Sequence, residues 1–168
     1  MTDIKKYTVF PGQFVITTVP TLVSTVLGSC VAVCLWDRKN HIGGMNHYLL
    51  PGTDEDEAGN ADRGLTATRL LIRSMLNRHV KPENIDAKVF GGCNSLYRNN
   101  DLFKVGERNI TMAFDVLKEF DIPVRAQHTG GMYGRKIVFN TATGKVRMRL
   151  LVKSVSEINE EINKGFNY

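Results

Sequence analysis

Six consecutive apolar residues, Val31 to Trp36, place the strongest constraint on what this chain can fold into. The run is too short for a buried helix and lacks polar alternation, so it reads as a buried strand. A polar turn, Asp37 to Asn40, follows it. Gly43 to Leu50 is a second strand-like run, ended by Pro51-Gly52. Together these predict a β-hairpin. Gln13 to Val19 reads as an earlier strand broken by Pro20.

Ala61 to Arg78 reads as a helix with Leu65, Thr68, Ile72, Met75, Leu76 and His79 on one face. Asn109 to Phe120 reads as a second, with Ile110, Ala113, Phe114 and Leu117 inward. Asp86 to Phe90 and Val124 to His128 read as strands, each ended near a glycine pair (91–92 and 130–131). Lys136 to Asn140 and Lys145 to Val152 predict a hairpin about Thr143-Gly144. Ser154 with Glu157 fits the capping box of a short last helix. Thr53 to Asn60 is an acidic surface loop. Strands cluster early and late, two helices lie between, and regular βαβ alternation is missing. The pattern predicts an α+β fold: a mixed or antiparallel sheet covered by helices, a layered sandwich. The 168 residues suit a single domain, 1–168.

Charge narrows the function classes. Lys and Arg total 22 against 17 Asp and Glu, a net charge of +5. The cations are scattered and no aromatic-and-basic reader module occurs, which argues against a nucleic-acid partner. No apolar stretch approaches a membrane span, which argues against membrane insertion. The start, MTDIKKYTVF, has no apolar signal core, so a cytoplasmic location is expected. Three cysteines are an odd number and show no disulfide framework.

The chemistry-bearing candidates centre on STVLGSCVAVCLWD, residues 24–37. In the predicted hairpin, Cys30 at the start of one strand faces the far end of the next, where His47 lies. A neighbouring imidazole lowers a thiol's pKa and creates a thiolate nucleophile. Gly28 permits an unusual backbone angle before the cysteine, and free N–H groups at Gly28 and Ser29 are placed to hold an oxyanion. Ser24 and Thr25 are candidates for the group that orients the imidazole. The competing reading makes Cys30 a buried core residue, as free cysteine commonly is. Cys34, mid-run, reads as core. A metal site on Cys30, Cys34, His47 and His41 has poor spacing for zinc, and no second CxxC occurs. Cys93 and His128, each beside a glycine pair, read as lining or structural residues. His41 and His79 carry no functional signal. The glycine pairs at 43–44, 91–92 and 130–131 read as strand ends and turns, with close backbone approach around a cleft as the functional alternative.

LGSCVAVCLWD followed by GGMNHYLLP resembles the CheD family of bacterial chemoreceptor glutamine deamidases. The resemblance continues through Phe90-Gly91-Gly92, Val105 to Asn109, Thr129-Gly130-Gly131 and Gly134-Arg135-Lys136, over roughly residues 8 to 152. It implies a cysteine hydrolase, with no metal or organic cofactor, that deamidates glutamines on cytoplasmic helices of methyl-accepting chemotaxis receptors and demethylates methyl glutamates. Cys30 matches the family's nucleophile and His47 its histidine. The family's third member is a threonine shortly before the cysteine; here Ser24 matches its place and Thr25 is adjacent. Cys93 stands where alanine is common, and Gln127-His128 where an acidic pair is common. The resemblance also implies a CheC-type phosphatase partner. A receptor- and CheC-binding adaptor with little or no catalysis is the alternative function.

Overall fold

A computed structural model describes residues 4–56, 59–94 and 104–151. In chain order the elements are β1 (Lys5–Thr8), β2 (Phe14–Thr17), β3 (Thr21–Leu27), β4 (Val31–Asp37), β5 (Ile42–Asn46), α1 (Gly64–Leu76), β6 (Ile85–Gly91), α2 (Val105–Glu119), β7 (Val124–Thr129), β8 (Arg135–Asn140) and β9 (Val146–Leu150), with a short 3₁₀ turn at Pro82–Asn84. The fold is α+β and layered, as the strand and helix pattern predicts. The strands form two sheets, ordered β1-β3-β8-β9 and β2-β5-β4-β6-β7.

The predicted β4–β5 hairpin is present, with Cys34 opposite Met45 and Asp37 opposite Ile42. Its turn is built by Asp37, whose carboxylate accepts the N–H groups of Lys39 and Asn40 at 2.9 and 3.2 Å. β4 is buried on both faces because it lies between two layers. Val31, Val33 and Leu35 pack with Leu71, Ile72 and Met75 of α1 and Ala113, Val116 and Leu117 of α2. Ala32 and Cys34 pack toward the other sheet with Val23, Leu27, Ile137 and Phe139. Cys34 is therefore core, as its position mid-run implies. Each large apolar side chain buried here contributes about 2 kcal/mol relative to exposure.

Gly43 and Gly44 lie inside β5 rather than at a strand end. A Cβ on Gly43 would sit 2.6 Å from Thr141 Cβ, and one on Gly44 3.0 Å from Leu71 Cδ1. The pair lets both neighbouring layers close on β5. His79 is exposed with φ 60°, past the end of α1, and does not join the buried face. The last helix expected from Ser154 and Glu157 falls outside the described residues.

β3 has no counterpart in the strands expected from sequence. It pairs with β1 in parallel and with β8 antiparallel, from Leu22 opposite Asn140 to Leu27 opposite Arg135. Its alternation sends Thr21, Val23, Thr25 and Leu27 inward and leaves Leu22, Ser24 and Val26 outward.

Candidate active site

Cys30 follows β3 and immediately precedes β4, so its thiol lies where one sheet hands the chain to the other. Val31 and Tyr48 exchange backbone hydrogen bonds at 3.2 and 3.0 Å. Extending that antiparallel register puts Cys30 opposite Leu49 and diagonal to His47. Diagonal neighbours share a face, with backbones about 7–8 Å apart and side chains nearer. Both residues face the space between the sheets: Cys30 packs on the inter-sheet core, and His47 reaches across to β3. The hairpin geometry expected from sequence thus brings the pair onto one face.

The partner across the gap is Thr25. Its Oγ1 lies 2.8 Å from His47 Nδ1 and donates to the Val9 carbonyl at 2.7 Å. A hydroxyl has one proton, and the carbonyl can only accept it. Nδ1 must therefore carry the hydrogen and donate to Thr25. The neutral ring then presents a bare lone pair at Nε2, which is buried and has no partner among the described residues. Ser24 points the other way, with its Oγ 3.4 Å from Thr8 Oγ1 on the outer face. Strand alternation separates the two hydroxyls: Thr25 hydrogen-bonds His47, and Ser24 lies on the opposite face.

Burial sets the protonation of the pair. It pushes the His47 imidazole down to about 4 and the Cys30 thiol up to about 11. The lowered thiol pKa expected from a neighbouring imidazole is not found. Desolvation outweighs the opposing contribution, which comes from the cysteine's own backbone N–H. Both shifts favour the neutral forms, and no hydrogen bond joins the two groups, since His47 Nε2 has no partner among the described residues.

Gly28 has no positive φ, contrary to expectation; the positive-φ glycines packed against the Cys30 turn are Gly91 and Gly92, at φ 112° and 72°. They end β6 against the Cys30 turn. Gly92 N–H donates to the Cys30 carbonyl at 2.8 Å, and Cys93 N–H to the Gly28 carbonyl at 3.0 Å. A Cβ on Gly91 would lie 2.1 Å from the Cys30 carbonyl oxygen. This glycine pair both ends a strand, as expected, and lets the backbone approach closely. Among the described residues, neither Ser29 nor Cys30 donates its N–H to another backbone carbonyl.

Asn109 gave no functional signal in the sequence, yet it ties the site together. Its Nδ2 donates to the Ser29 carbonyl at 2.9 Å and to the Leu49 carbonyl at 2.8 Å. One buried side chain on α2 thereby fixes the segments that carry Cys30 and His47. Tyr48 adds a further tie, its hydroxyl donating to the Asn109 carbonyl. A polar residue at a helix position that packs inward is the signal that could have found Asn109.

Cys93 is buried beside the Cys30 turn, and its charge would raise the Cys30 pKa further. His128 is exposed, and its Nδ1 lies 2.7 Å from the buried Arg135 guanidinium. Arg135 also donates to the carbonyls of Gly130 and Tyr133, which shapes the rim loop. His41 stacks edge-on against Trp36 at the hairpin turn, away from the site.

Comparison with known proteins meets this geometry from a different direction. A family model described as "CheD chemotactic sensory transduction" matches residues 49–150, C-terminal to both Cys30 and His47. A protein of Trichlorobacter lovleyi named "Probable chemoreceptor glutamine deamidase CheD" is 43% identical over 143 residues, 85% of this chain and 89% of that protein. One of the same name from Agrobacterium fabrum is 40% identical over 149 residues, 88% of this chain and 81% of its own length. Among solved structures, the Bacillus licheniformis hypothetical protein YfiH aligns with TM-score 0.45 at 14% identity, over 68% of this chain and 49% of that one, too loose a likeness to bear on the fold. The family model spans more than half of the chain and the relatives cover most of it, so the chain belongs to the CheD family.

Proposed function

We propose that this protein is a cysteine hydrolase that converts glutamines on the cytoplasmic helices of chemoreceptors to glutamate. The observation that carries the reading is the Val9–Thr25–His47 relay, which leaves Nε2 bare on the face that Cys30 shares. The relatives' printed names supply the substrate class.

The neutral pair dictates the order of events. Cys30 Sγ attacks the carboxamide carbon while His47 Nε2 takes the thiol proton, so proton transfer accompanies attack rather than preceding it. The carbonyl oxygen becomes an oxyanion held by the N–H groups of Ser29 and Cys30. The Nε2 proton then passes to the amide nitrogen, the C–N bond breaks, and ammonia leaves a thioester. His47 next deprotonates a water that attacks the thioester. The thiolate leaves, takes the proton back from His47 Nε2, and glutamate is released. Thr25 holds the imidazole through both steps and stabilises the cation through its hydroxyl oxygen. A methyl glutamate offers the same acyl group with methanol as leaving group, so demethylation follows by the same steps.

The setting is cytoplasmic, where the receptor helices lie, with a CheC-type phosphatase as a further partner. Among the described residues no helix is long and apolar enough to cross a membrane.

The test is mass spectrometry of a chemoreceptor cytoplasmic fragment after incubation with wild type, Cys30→Ala and His47→Ala proteins. Site-specific glutamine-to-glutamate conversion by wild type alone is the expected result. Fragment binding without conversion by wild type would refute the hydrolase and leave an adaptor.

A further inference from the structure

The helices α1 and α2 cover only the five-stranded sheet. Among the described residues, no helix covers the outer face of the four-stranded sheet. The register fixes what that face carries. Lys6 lies beside Leu22, Thr8 beside Ser24, Ser24 beside Val138, and Val26 beside Lys136. Val138 faces Arg147 and Lys136 faces Arg149. Four cations, Lys6, Lys136, Arg147 and Arg149, therefore surround a short apolar strip of Leu22, Val26 and Val138. No Asp or Glu occurs in any of the four strands.

This face opens toward Thr25 and His47, although Cys30 is not among the residues that line the opening. β1 stops pairing at Thr8 opposite Ser24, and the chain turns away through Phe10 and Pro11. Beyond that point no described strand pairs with that edge of β3. The opening is a cavity of about 320 Å³ whose lining includes Phe10, Ser24, Val26 and Lys136 from outside and Thr25 and His47 from within. Phe10 and Val26 at its mouth are 60% and 48% exposed, large apolar surface with no cover among the described residues.

We infer that the outer face of the β1-β3-β8-β9 sheet is the surface that docks the substrate receptor, taking an acidic, amphipathic helical segment that flanks the target glutamine. The occupant follows from complementarity. The apolar strip, Phe10 and Val26 suit the hydrophobic stripe of a helix, and the four cations suit carboxylates on either side of it. Each turnover converts a neutral glutamine to a glutamate, which adds to the negative charge the face would meet. The inference rests on the deamidase reading for the identity of the partner.

The test is charge reversal of the opposed pair in Lys136→Glu/Arg149→Glu and of the more distant Arg147→Glu. Lys39→Glu, in the β4–β5 turn, is the control. Circular dichroism and thermal melting first establish that the variants fold. Deamidation of the receptor fragment and of a short uncharged glutamine peptide is then followed from 50 to 500 mM salt. In wild type, kcat/KM for the fragment falls with salt. In the reversed variants it is at least about tenfold lower, chiefly through KM, and much less salt-dependent. The ratio of fragment to peptide activity drops, and Lys39→Glu matches wild type.

Titration of fragment affinity on a Cys30→Ala background reads docking without turnover, so failure of the catalytic reading does not hide this result. Unchanged fragment affinity and KM on charge reversal would overturn the inference. So would a reversal that abolishes binding to phosphatidylglycerol vesicles but leaves the fragment untouched, since the face would then belong to a membrane. An equal gain in fragment affinity on removal of residues 152–168 from wild type and reversed variants alike would also overturn it, since that segment would then compete with the fragment without using these charges.

Discussion

Replacing Thr25 by valine removes one hydroxyl, adds no bulk beyond a methyl, and breaks both hydrogen bonds that position His47. The Val9 carbonyl loses its 2.7 Å donor and His47 Nδ1–H its 2.8 Å acceptor. Thr25 is 3% exposed and His47 2%, so water does not readily replace either partner. An unpaired buried polar group costs about 1–3 kcal/mol, and two are created, giving a destabilisation of about 3 kcal/mol. For a chain of this length that lowers Tm by about 10 °C. The catalytic loss is larger than the stability loss suggests, because the imidazole loses its tautomer lock and its orientation together. A positioned general base contributes about 10² to 10⁴ in rate, and a fall in kcat of at least about 10² is expected with KM little changed. Thr25→Ser keeps the hydroxyl and restores most of the activity, whereas Ser24→Ala leaves it intact. The assay is mass-spectrometric deamidation of the receptor fragment, with denaturant melts alongside. Full activity in Thr25→Val, or loss of activity in a folded Ser24→Ala, would refute the relay.

Gly91→Ala forces a Cβ to 2.1 Å from the Cys30 carbonyl oxygen at φ 112° and should unfold the turn or abolish activity, read by thermal melting and turnover. Asn109→Ala removes two donors, at 2.9 and 2.8 Å, from the carbonyls of Ser29 and Leu49; a stability loss of about 1–3 kcal/mol and a lower kcat are expected from denaturant titration and rate assays. The imidazole of His47 is pushed from 6.5 down to about 4 in the folded state. The unfolded chain therefore binds a proton that the native state does not, between those values. Stability is complete above pH 6.5 and declines as pH falls toward 4, by about 3 kcal/mol at most, and His47→Gln lacks this component in urea melts across that range. The same depressed pKa places the acid limb of kcat/KM near pH 4 rather than near 6.5, which a pH–rate profile reads directly.

The hairpin was legible because its cause is local. A six-residue apolar run, an Asp-led turn and a second run all lie within twenty-odd residues, and that register alone puts Cys30 and His47 on one face. β3 was not legible for an opposite reason. Its inward positions alternate between Thr21 and Thr25 and the apolar Val23 and Leu27, while Leu22 and Val26 point outward, so hydropathy does not mark one face. The inward hydroxyls are tolerated because Val19 and Val9 supply carbonyls to them. Its ladder partner β8 is more than a hundred residues away, beyond any local pattern. Without β3 the choice between Ser24 and Thr25 could not be made, since strand parity is what separates them. The thiol pKa failed for a related reason: proximity to a histidine is readable from a hairpin, but the desolvation that reverses its effect comes from layers packed above and below. Asn109 escaped notice because its partners, Ser29 and Leu49, are main-chain carbonyls that carry no side-chain signature.

The most direct measurement is covalent trapping of the nucleophile. A receptor-derived peptide whose target glutamine carboxamide is replaced by a chloromethyl ketone is incubated with wild type, His47→Ala and Thr25→Val proteins, and the adduct is mapped by peptide mass spectrometry. Stoichiometric labelling of Cys30 in wild type is predicted, with slower labelling in both variants and none at the buried Cys34. Labelling at Cys93, no labelling at all, or equal rates in all three proteins would contradict a Cys30 nucleophile activated by the Thr25-held His47.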